Sequence, residues 1–108
     1  IADMIMELEA IESLLERTAQ DWSNGVAHPD WLVKLLSTKY KAVEGAWRVV
    51  DTAFELSGGF GISKKNELER LFRDARLGRI HPANASLSRE LIAKLALGIN
   101  LDSTPRWG

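Results

Sequence analysis

The side chains best suited to chemistry stand close together in the second half of the chain. His81 could exchange a proton, because imidazole titrates near neutral pH. Asn84 and Ser86 come just before an apolar helical stretch, and the free N–H groups and dipole of a helix N-terminus favour an anion. The plainer alternatives are a surface histidine and ordinary helix caps. The residue types alone leave the chemical and the structural interpretations of this segment open.

A glycine-rich turn is the second feature with chemical meaning. Gly58, Gly59 and Gly61 fall within one short stretch, which is expected to end a helix and, having no side chains, leaves its backbone open to close approach. Glu55 lies just before these glycines. A solvated surface position is the plain interpretation of this carboxylate.

Composition argues against several classes of protein. The 108 residues suit one small domain, and 45% of them are apolar, which is enough for a core. The formal net charge of −1 leaves no basic excess for nucleic acid. Cysteine is absent and the histidines lack metal-ligand spacing, so we expect neither disulfides nor a metal site. No apolar run approaches the roughly 20 residues that span a bilayer.

Apolar residues recur three and four positions apart, which predicts helices. We expect the first helix over residues 1–20 and the second over residues 30–57. A turn separates the two, and Pro29 suits the first helical position after it, where a missing N–H costs nothing. The glycine-rich turn ends the second helix.

The third helix is predicted over residues 66–77. Asn66 followed by Glu69 is typical of a capping box, in which two side chains satisfy free backbone N–H groups at the helix start. Gly78 is expected to end this helix, since glycine is a poor helix former.

The fourth helix begins at a cap, either Asn84 or Ser86, and closes at Gly98. No strand pattern appears, so the predicted fold is all-α, an up-and-down bundle of three or four helices. We expect residues 1–98 to form this bundle and residues 99–108 to form a C-terminal tail.

The order of motifs resembles the C-terminal helical domain of the acyl-CoA dehydrogenase family. The chain reads GGFG over 58–61 and ERLFRDAR over 69–76, followed by a short loop and a last helix with Ile-Ala-Lys. The opening residues 1–4, IADM, are similar to the start of that domain's second helix. Because Ile1 stands inside an apolar pattern with no cap before it, we expect a fragment that lacks the bundle's first helix.

This resemblance implies a flavoprotein. A full member has an N-terminal helical domain, a middle β-domain and this bundle, with FAD between the last two and against a neighbouring subunit. It oxidises an acyl-CoA substrate at the α and β carbons and passes electrons to an electron-transfer flavoprotein or similar acceptor. The resemblance also implies a homodimer or homotetramer in the cytoplasm, or in the mitochondrial matrix of a eukaryote. The fragment alone is expected to be inactive.

The resemblance also assigns candidate contacts with FAD. Gly58 and Gly59 match paired glycines that approach the FAD of the adjacent subunit. Glu55 stands where many members have a glutamine that reaches toward the same FAD. Asn84 and Ser86 stand where members often have Thr and Gln in contact with FAD.

Three charged residues of the third helix match a further run of the family, namely Arg73, Asp74 and Arg76. An Arg–Asp pair at such a place more often stabilises structure than takes part in a reaction. We therefore expect these residues to hold the third helix against the bundle.

The chain departs from the family pattern at the catalytic base. Many members carry a glutamate in the loop before the last helix, and the matching residue here is Pro82, which cannot accept a proton. Two explanations keep a dehydrogenase: a base on an earlier helix of the bundle, as in some members, or His81 in its place. Two other readings stay open: a flavin monooxygenase of the same fold, which needs no base there, and a non-catalytic helical association module.

Overall fold

Four α-helices and a 3₁₀ turn make up the computed structural model, which describes residues 1–102. Their bounds are Ala2–Ser23 (α1), Trp31–Ser57 (α2), Gly58–Ile62 (the 3₁₀ turn), Glu67–Ile80 (α3) and Ala85–Ala96 (α4). Residues 1–102 contain no strand, so the predicted all-α class is confirmed. The tail residues 103–108 lie outside the described part. No helix of the described part is both long enough and apolar enough to cross a membrane.

Side-chain caps fix the starts of three helices. α2 begins after Asp30, whose carboxylate accepts a hydrogen bond from the Val33 N–H at 3.1 Å. The prediction that Pro29 opens this helix is wrong, because the cap lies one residue later in the chain. Asn66 and Asn84 cap α3 and α4, as predicted.

α3 continues past Gly78, contrary to the prediction that this glycine ends it. A Cβ on Gly78 would lie 3.3 Å from Val43 Cγ1, so the missing side chain allows α3 to pack closely on α2. The helix ends instead at Ile80. His81 is extended because the ring of Pro82 disfavours helical backbone at the residue before it.

The predicted capping box at the start of α3 is only half formed. Asn66 Oδ1 accepts the Leu68 N–H at 3.0 Å. Glu69 does not reach back to the backbone, because it forms an ion pair with Arg73 at 2.7 Å. Residues four apart on a helix are neighbours on its surface, which favours this pairing.

α1 and α2 run antiparallel and meet through polar and small residues. The buried hydroxyls of Thr18 and Thr38 lie 2.9 Å apart. Because Thr38 donates to the Lys34 carbonyl at 2.8 Å, Thr18 must donate to Thr38. Further along, Ile11 packs against Gly45, where a Cβ would lie only 2.4 Å from Ile11 Cδ1.

Aromatic and charged side chains join α3 to α2. The Phe72 ring lies between Trp47 and Phe54, with centroid distances of 5.0 and 4.7 Å. The Arg79 guanidinium stacks on Trp47 at 5.5 Å and its Nε donates to Glu44 at 3.0 Å. Since α1, α3 and α4 all pack on α2, this helix is the centre of the bundle.

The bundle leaves much of its apolar surface exposed. Among the described residues, Ile11 is the one apolar side chain that is almost completely buried, at 8% exposure. Phe60, within the 3₁₀ turn, is 82% exposed. An open groove of about 600 Å³ runs between α1 and α2, and we call it the α1–α2 groove. Its apolar lining consists of Leu15, Ala19, Trp22, Leu35, Ala42 and Val43.

Candidate functional site

The candidate residues form two groups at different places along α2. Glu55, Gly58 and Gly59 lie at its C-terminal end. Residues 81–86, which we call the His81 loop, contact Lys39 in its N-terminal half. The separation between Lys39 and Glu55 is roughly 24 Å, at about 1.5 Å of rise for each residue of a helix. The structure therefore does not bring the two groups into one pocket of this chain.

The glycines of the 3₁₀ turn differ in what the fold demands of them. Gly58 has a φ of +58°, a left-handed conformation that favours glycine. At Gly61 a Cβ would lie 2.5 Å from Ser57 Oγ, so the chain leaves no room for a side chain. At Gly59 the φ is not in the left-handed region, and a Cβ would meet nothing within 4 Å. The folding of this chain does not require a glycine at position 59.

Glu55 is exposed near the end of α2. Its carbonyl accepts the Gly58 N–H, which caps the helix. An exposed carboxylate keeps its hydration, so its charge costs little in this chain. This agrees with the solvated alternative for Glu55, while its approach to a cofactor of a neighbouring subunit stays a prediction.

The imidazole of His81 is oriented by its own loop. Nδ1 lies 2.6 Å from the Pro82 carbonyl oxygen. A carbonyl only accepts hydrogen bonds, so Nδ1 carries the proton and Nε2 of the neutral ring holds the free lone pair. His81 is exposed, which makes Nε2 the atom that could accept a proton from a ligand.

Lys39 and Ser88 hold the His81 loop, and sequence reasoning identified neither. The Lys39 ammonium donates to the Pro82 carbonyl and, at 3.2 Å, to the Ala83 carbonyl. Ser88, at 1% exposure, donates through Oγ to the same Ala83 oxygen at 3.1 Å. The sequence carries no signal for the lysine contact, because Lys39 stands 43 residues before Pro82.

The polar residues of the His81 loop lie at the N-terminus of α4. Asn84 Oδ1 accepts the Leu87 N–H at 3.0 Å, which makes Asn84 the cap. Ser86, the alternative cap, lies inside the first turn instead. Both residues are exposed, so they stand at an open helix end whose dipole favours an anion.

The prediction that Arg73 and Asp74 hold the third helix against the bundle is wrong. Arg73 pairs with an acidic residue of α3 itself, and Asp74 pairs with Arg70 of the same helix at 3.4 Å. Pairs four residues apart form within one helix because these side chains are neighbours on its surface. Arg76 does contribute to packing, since its guanidinium lies 5.4 Å from the centre of the Trp47 ring on α2.

Neither group of candidate residues contains a metal centre. Within residues 1–102, no three His, Cys, Asp or Glu side chains are arranged to hold a metal ion. Elsewhere, Arg48 donates to Glu7 at 2.5 Å, and this hydrogen bond raises the pKa of Arg48 above its ordinary value. That pair joins α2 to α1 and lies outside both groups.

The described residues can therefore bind and orient a ligand more readily than they can transform one. The 3₁₀ turn offers bare backbone at Gly59, and the start of α4 offers amides and a favourable dipole. His81 Nε2 is the candidate proton acceptor of the loop, whereas Pro82 offers only its carbonyl oxygen.

Comparison with known proteins gives these features a family context. Residues 1–97 match the family model for the acyl-CoA dehydrogenase C-terminal domain. Over 97 residues the chain is 35% identical to (R)-benzylsuccinyl-CoA dehydrogenase of Thauera aromatica, covering 90% of this chain and 23% of that protein. Over 103 residues it is 35% identical to 3-sulfinopropanoyl-CoA desulfinase of Variovorax paradoxus, covering 95% and 25%.

A human relative is more distant. The mitochondrial very long-chain specific acyl-CoA dehydrogenase of Homo sapiens is 28% identical over 93 residues, covering 86% of this chain and 14% of that protein. No solved structure matches the chain. The chain spans about a quarter of the length of the two bacterial relatives. Because the family model covers nearly all of its residues, this chain belongs to the acyl-CoA dehydrogenase family and matches the C-terminal domain of that family.

Proposed function

We propose that this chain is the C-terminal helical part of an FAD-dependent acyl-CoA dehydrogenase, which oxidises acyl-CoA thioesters at the α and β carbons. The match of residues 1–97 to the family's C-terminal domain carries the proposal. Relatives named as dehydrogenases of CoA thioesters support the reaction. In this proposal residues 1–98 act as the bundle and residues 99–108 as its tail, and the chain alone is inactive.

The residues present fit FAD at two places. Gly59 supports one contact. A Cβ at this position would meet no atom of the chain within 4 Å, so a ligand could approach the Gly59 backbone closely. Asn84 and Ser86 support the other, because they stand at the exposed start of α4, where amide groups favour an anion. FAD, when bound, would supply the acceptor of the hydride. The residues of this chain would bind and orient it.

The separation of the two groups supports contacts with two different FAD molecules. Roughly 24 Å lies between them along α2, at about 1.5 Å for each residue. We assign the His81 loop to the FAD of its own subunit. Glu55, Gly58 and Gly59 are assigned to the FAD of a neighbouring subunit. This assignment requires a homodimer or a homotetramer.

The dehydrogenation needs a base that Pro82 cannot supply. The base removes the α proton, the electron pair of that C–H bond forms the new double bond, and the β hydrogen leaves as hydride. We place the base on a carboxylate elsewhere in the full-length protein, because His81 is exposed and lies against no acidic partner within its loop. His81 Nε2 is the alternative base.

The desulfinase relative supports a second candidate function. It is 35% identical to this chain over 95% of the chain's length. Water can replace the sulfinate group of a CoA thioester by hydrogen and release sulfite, with no net oxidation at the α and β carbons, so a loop without the usual base suits this reaction. The flavin monooxygenase of the same fold stays a third reading, which rests on Pro82 alone.

Reduced flavin must return its electrons before the next turnover. We propose that an electron-transfer flavoprotein or a similar carrier accepts them from the full-length protein. We further propose a location in the cytoplasm, or in the mitochondrial matrix if the source is a eukaryote.

The deciding experiment uses the full-length protein with its flavin. Without oxygen, it is mixed with aromatic, branched and long-chain acyl-CoA thioesters, and we expect one of them to bleach the flavin. Sulfite release from 3-sulfinopropanoyl-CoA without bleaching would establish the desulfinase reading instead. No bleaching by any thioester, together with rapid oxidation of reduced flavin by oxygen, would favour the monooxygenase reading.

The same assay locates the base. If His81 were the base, His81→Gln would slow flavin reduction by about 10²-fold or more, the usual contribution of general base catalysis. We expect a smaller effect, which would exclude His81 as the base.

A further inference from the structure

We propose that Lys39 is a positioning residue that fixes the His81 loop from the neighbouring helix α2. What the loop binds rests on the proposed function. How the loop is held rests on contacts within this chain, so the two can be tested separately. The hydrogen bonds of Lys39 go to two backbone carbonyls of the loop, so Lys39 acts on the loop through its backbone.

Two consecutive carbonyl groups carry the argument. The Pro82 and Ala83 carbonyls lie between helices, so no helical N–H is available to them and other donors must satisfy them. Pro82 O accepts from Lys39 Nζ and from His81 Nδ1, and Ala83 O accepts from Lys39 Nζ and Ser88 Oγ. A carbonyl oxygen can accept two hydrogen bonds through its two lone pairs, and each of these two oxygens has two donors. Lys39 is the donor that serves both carbonyls and that comes from another part of the fold.

The two carbonyls control the two chemically useful parts of the loop. Pro82 O sets the orientation of the His81 ring, because it is the acceptor for Nδ1. Ala83 O directly precedes Asn84, so its direction sets the entry of the chain into α4. By binding both oxygens, Lys39 couples the candidate proton acceptor to the candidate FAD contacts.

The next residue of α2, Tyr40, makes a second contact with this part of the fold. Tyr40 lies under the guanidinium of Arg89, at 5.0 Å from ring centre to Cζ, and its hydroxyl accepts a hydrogen bond from Arg89. Arg89 belongs to α4, so Lys39 and Tyr40 together hold the loop and the helix that follows it. Without Lys39, the loop carbonyls would lose their hydrogen bonds from α2, while α4 would keep the contact between Arg89 and Tyr40.

The residue type suits this role. An ammonium carries three N–H donors and no acceptor, so one group can serve two oxygens without repelling either. The half-buried stem of Lys39 lines the α1–α2 groove, and its ammonium reaches the carbonyls of the loop. Arginine keeps charge and donors but presents them in a planar fork, so it should replace lysine only in part.

The test compares three variants of the full-length flavoprotein. Lys39→Met keeps an unbranched stem and removes the charge, Lys39→Arg is the conservative variant, and Lys41→Met removes one charge from an exposed residue of the same helix. Amide hydrogen exchange is followed across the loop and across α1. For Lys39→Met we expect exchange over residues 81–88 to rise about tenfold, as for loss of one hydrogen bond to a charged group, with α1 unchanged. Lys39→Arg should lie between wild type and Lys39→Met, and Lys41→Met should match wild type.

Flavin reduction gives a readout that a purely structural role would not move. For each molecule of bound flavin, we expect Lys39→Met to slow reduction by the active thioester about tenfold, because small misplacements are costly in catalysis. Lys39→Arg should recover part of this loss. Exchange that rises no more than in Lys41→Met, or that rises equally in α1, would overturn the proposal.

Two further outcomes are also decisive. If no thioester reduces the wild-type flavin, the dehydrogenase function fails, and the exchange data alone decide the case for Lys39. If Lys39→Met does not fold, Lys39→Gln replaces it, since its amide keeps donors without a charge. Failure of both to fold, with Lys41→Met folded, would show that Lys39 serves the whole bundle and would overturn a positioning role.

Discussion

Asn84 and Gly59 are both candidate flavin contacts, yet the fold depends on them to different degrees. The side chain of Asn84 caps α4 through a hydrogen bond of 3.0 Å to the Leu87 N–H. At Gly59, neither backbone conformation nor neighbouring atoms require a glycine. Substitutions at these two positions can therefore separate a contribution to folding from a contribution to binding.

Asn84→Ala should lower the free energy of unfolding by about 1 kcal/mol, because the Leu87 N–H loses its acceptor. Asn84→Asp keeps an acceptor at the cap and should leave stability nearly unchanged. If Asn84 faces an anionic part of FAD, the added carboxylate of Asn84→Asp should weaken flavin retention in the full-length protein. Urea unfolding and flavin titration measure the two effects. A loss of flavin in Asn84→Ala that is absent in Asn84→Asp would contradict an anion at this position.

Gly59→Ala should change the free energy of unfolding by less than about 0.5 kcal/mol, as for exposed sites without special features. Gly58→Ala is the contrasting variant, because the φ of +58° at Gly58 should make alanine cost about 1 kcal/mol. In the full-length protein, Gly59→Ala should nevertheless reduce flavin content, since its methyl group would fill the open approach. Full flavin content in a stable Gly59→Ala variant would refute the contact.

At the scale of the helices, the apolar spacing was sufficient to predict most of the fold. The predicted second helix over 30–57 agrees with α2 at Trp31–Ser57, because a long periodic stripe ends at an unmistakable glycine turn. The end of α3 was not predictable, because Gly78 is a packing contact with another helix and glycine alone cannot tell a packing site from a stop.

The same limit applies to the site. Asn84 was predictable as a cap, since its acceptor role depends on residues three positions away. Lys39 was not predictable, because its partners stand more than 40 residues later and only the packing of α4 on α2 brings them close. Local hydrogen bonds leave a trace in the sequence, whereas contacts between elements distant in the chain leave none in a single sequence.

The α1–α2 contact provides a test of helix packing. In Gly45→Ala, the new Cβ would lie 2.4 Å from Ile11 Cδ1 and 2.5 Å from Glu7 Oε1, so Ile11 must move. We expect a net loss of about 1 kcal/mol, since overpacking costs about 1–3 kcal/mol and the better helix former returns up to about 1 kcal/mol. Thermal unfolding measures the change.

A double variant identifies the cause of that loss. Ile11→Val removes Cδ1, the atom nearest to the new methyl group, so Ile11→Val combined with Gly45→Ala should be less destabilised than the sum of the single variants. Additive effects would mean that the clash is relieved elsewhere, through Glu7 or a shift of α1.

At the scale of the whole molecule, α2 is central and the apolar surface around it is incompletely covered. The large apolar side chains that are more than half exposed include Ile5 at 61%, Trp22 at 60% and Ile62 at 69%. The α1–α2 groove, which has a volume of about 600 Å³, is open and lined mainly by apolar side chains. Exposed apolar surface of this kind favours association, in agreement with the oligomer that the proposed FAD contacts require.

We expect the 108-residue chain to self-associate at micromolar concentration through the α1–α2 groove. Ala19→Arg places a charge on an exposed residue that lines the groove, so burial of that charge in a contact would be costly, and the variant should shift toward monomer. Ala10→Arg adds the same charge to an exposed alanine of α1 that is not among the groove residues, and it should associate like wild type. Multi-angle light scattering measures the mass, and circular dichroism checks that each variant keeps its helix content.

A monomeric wild-type chain would contradict self-association itself. Equal association of the two arginine variants would place the contact elsewhere, with the patch around Phe60 as the next surface to test.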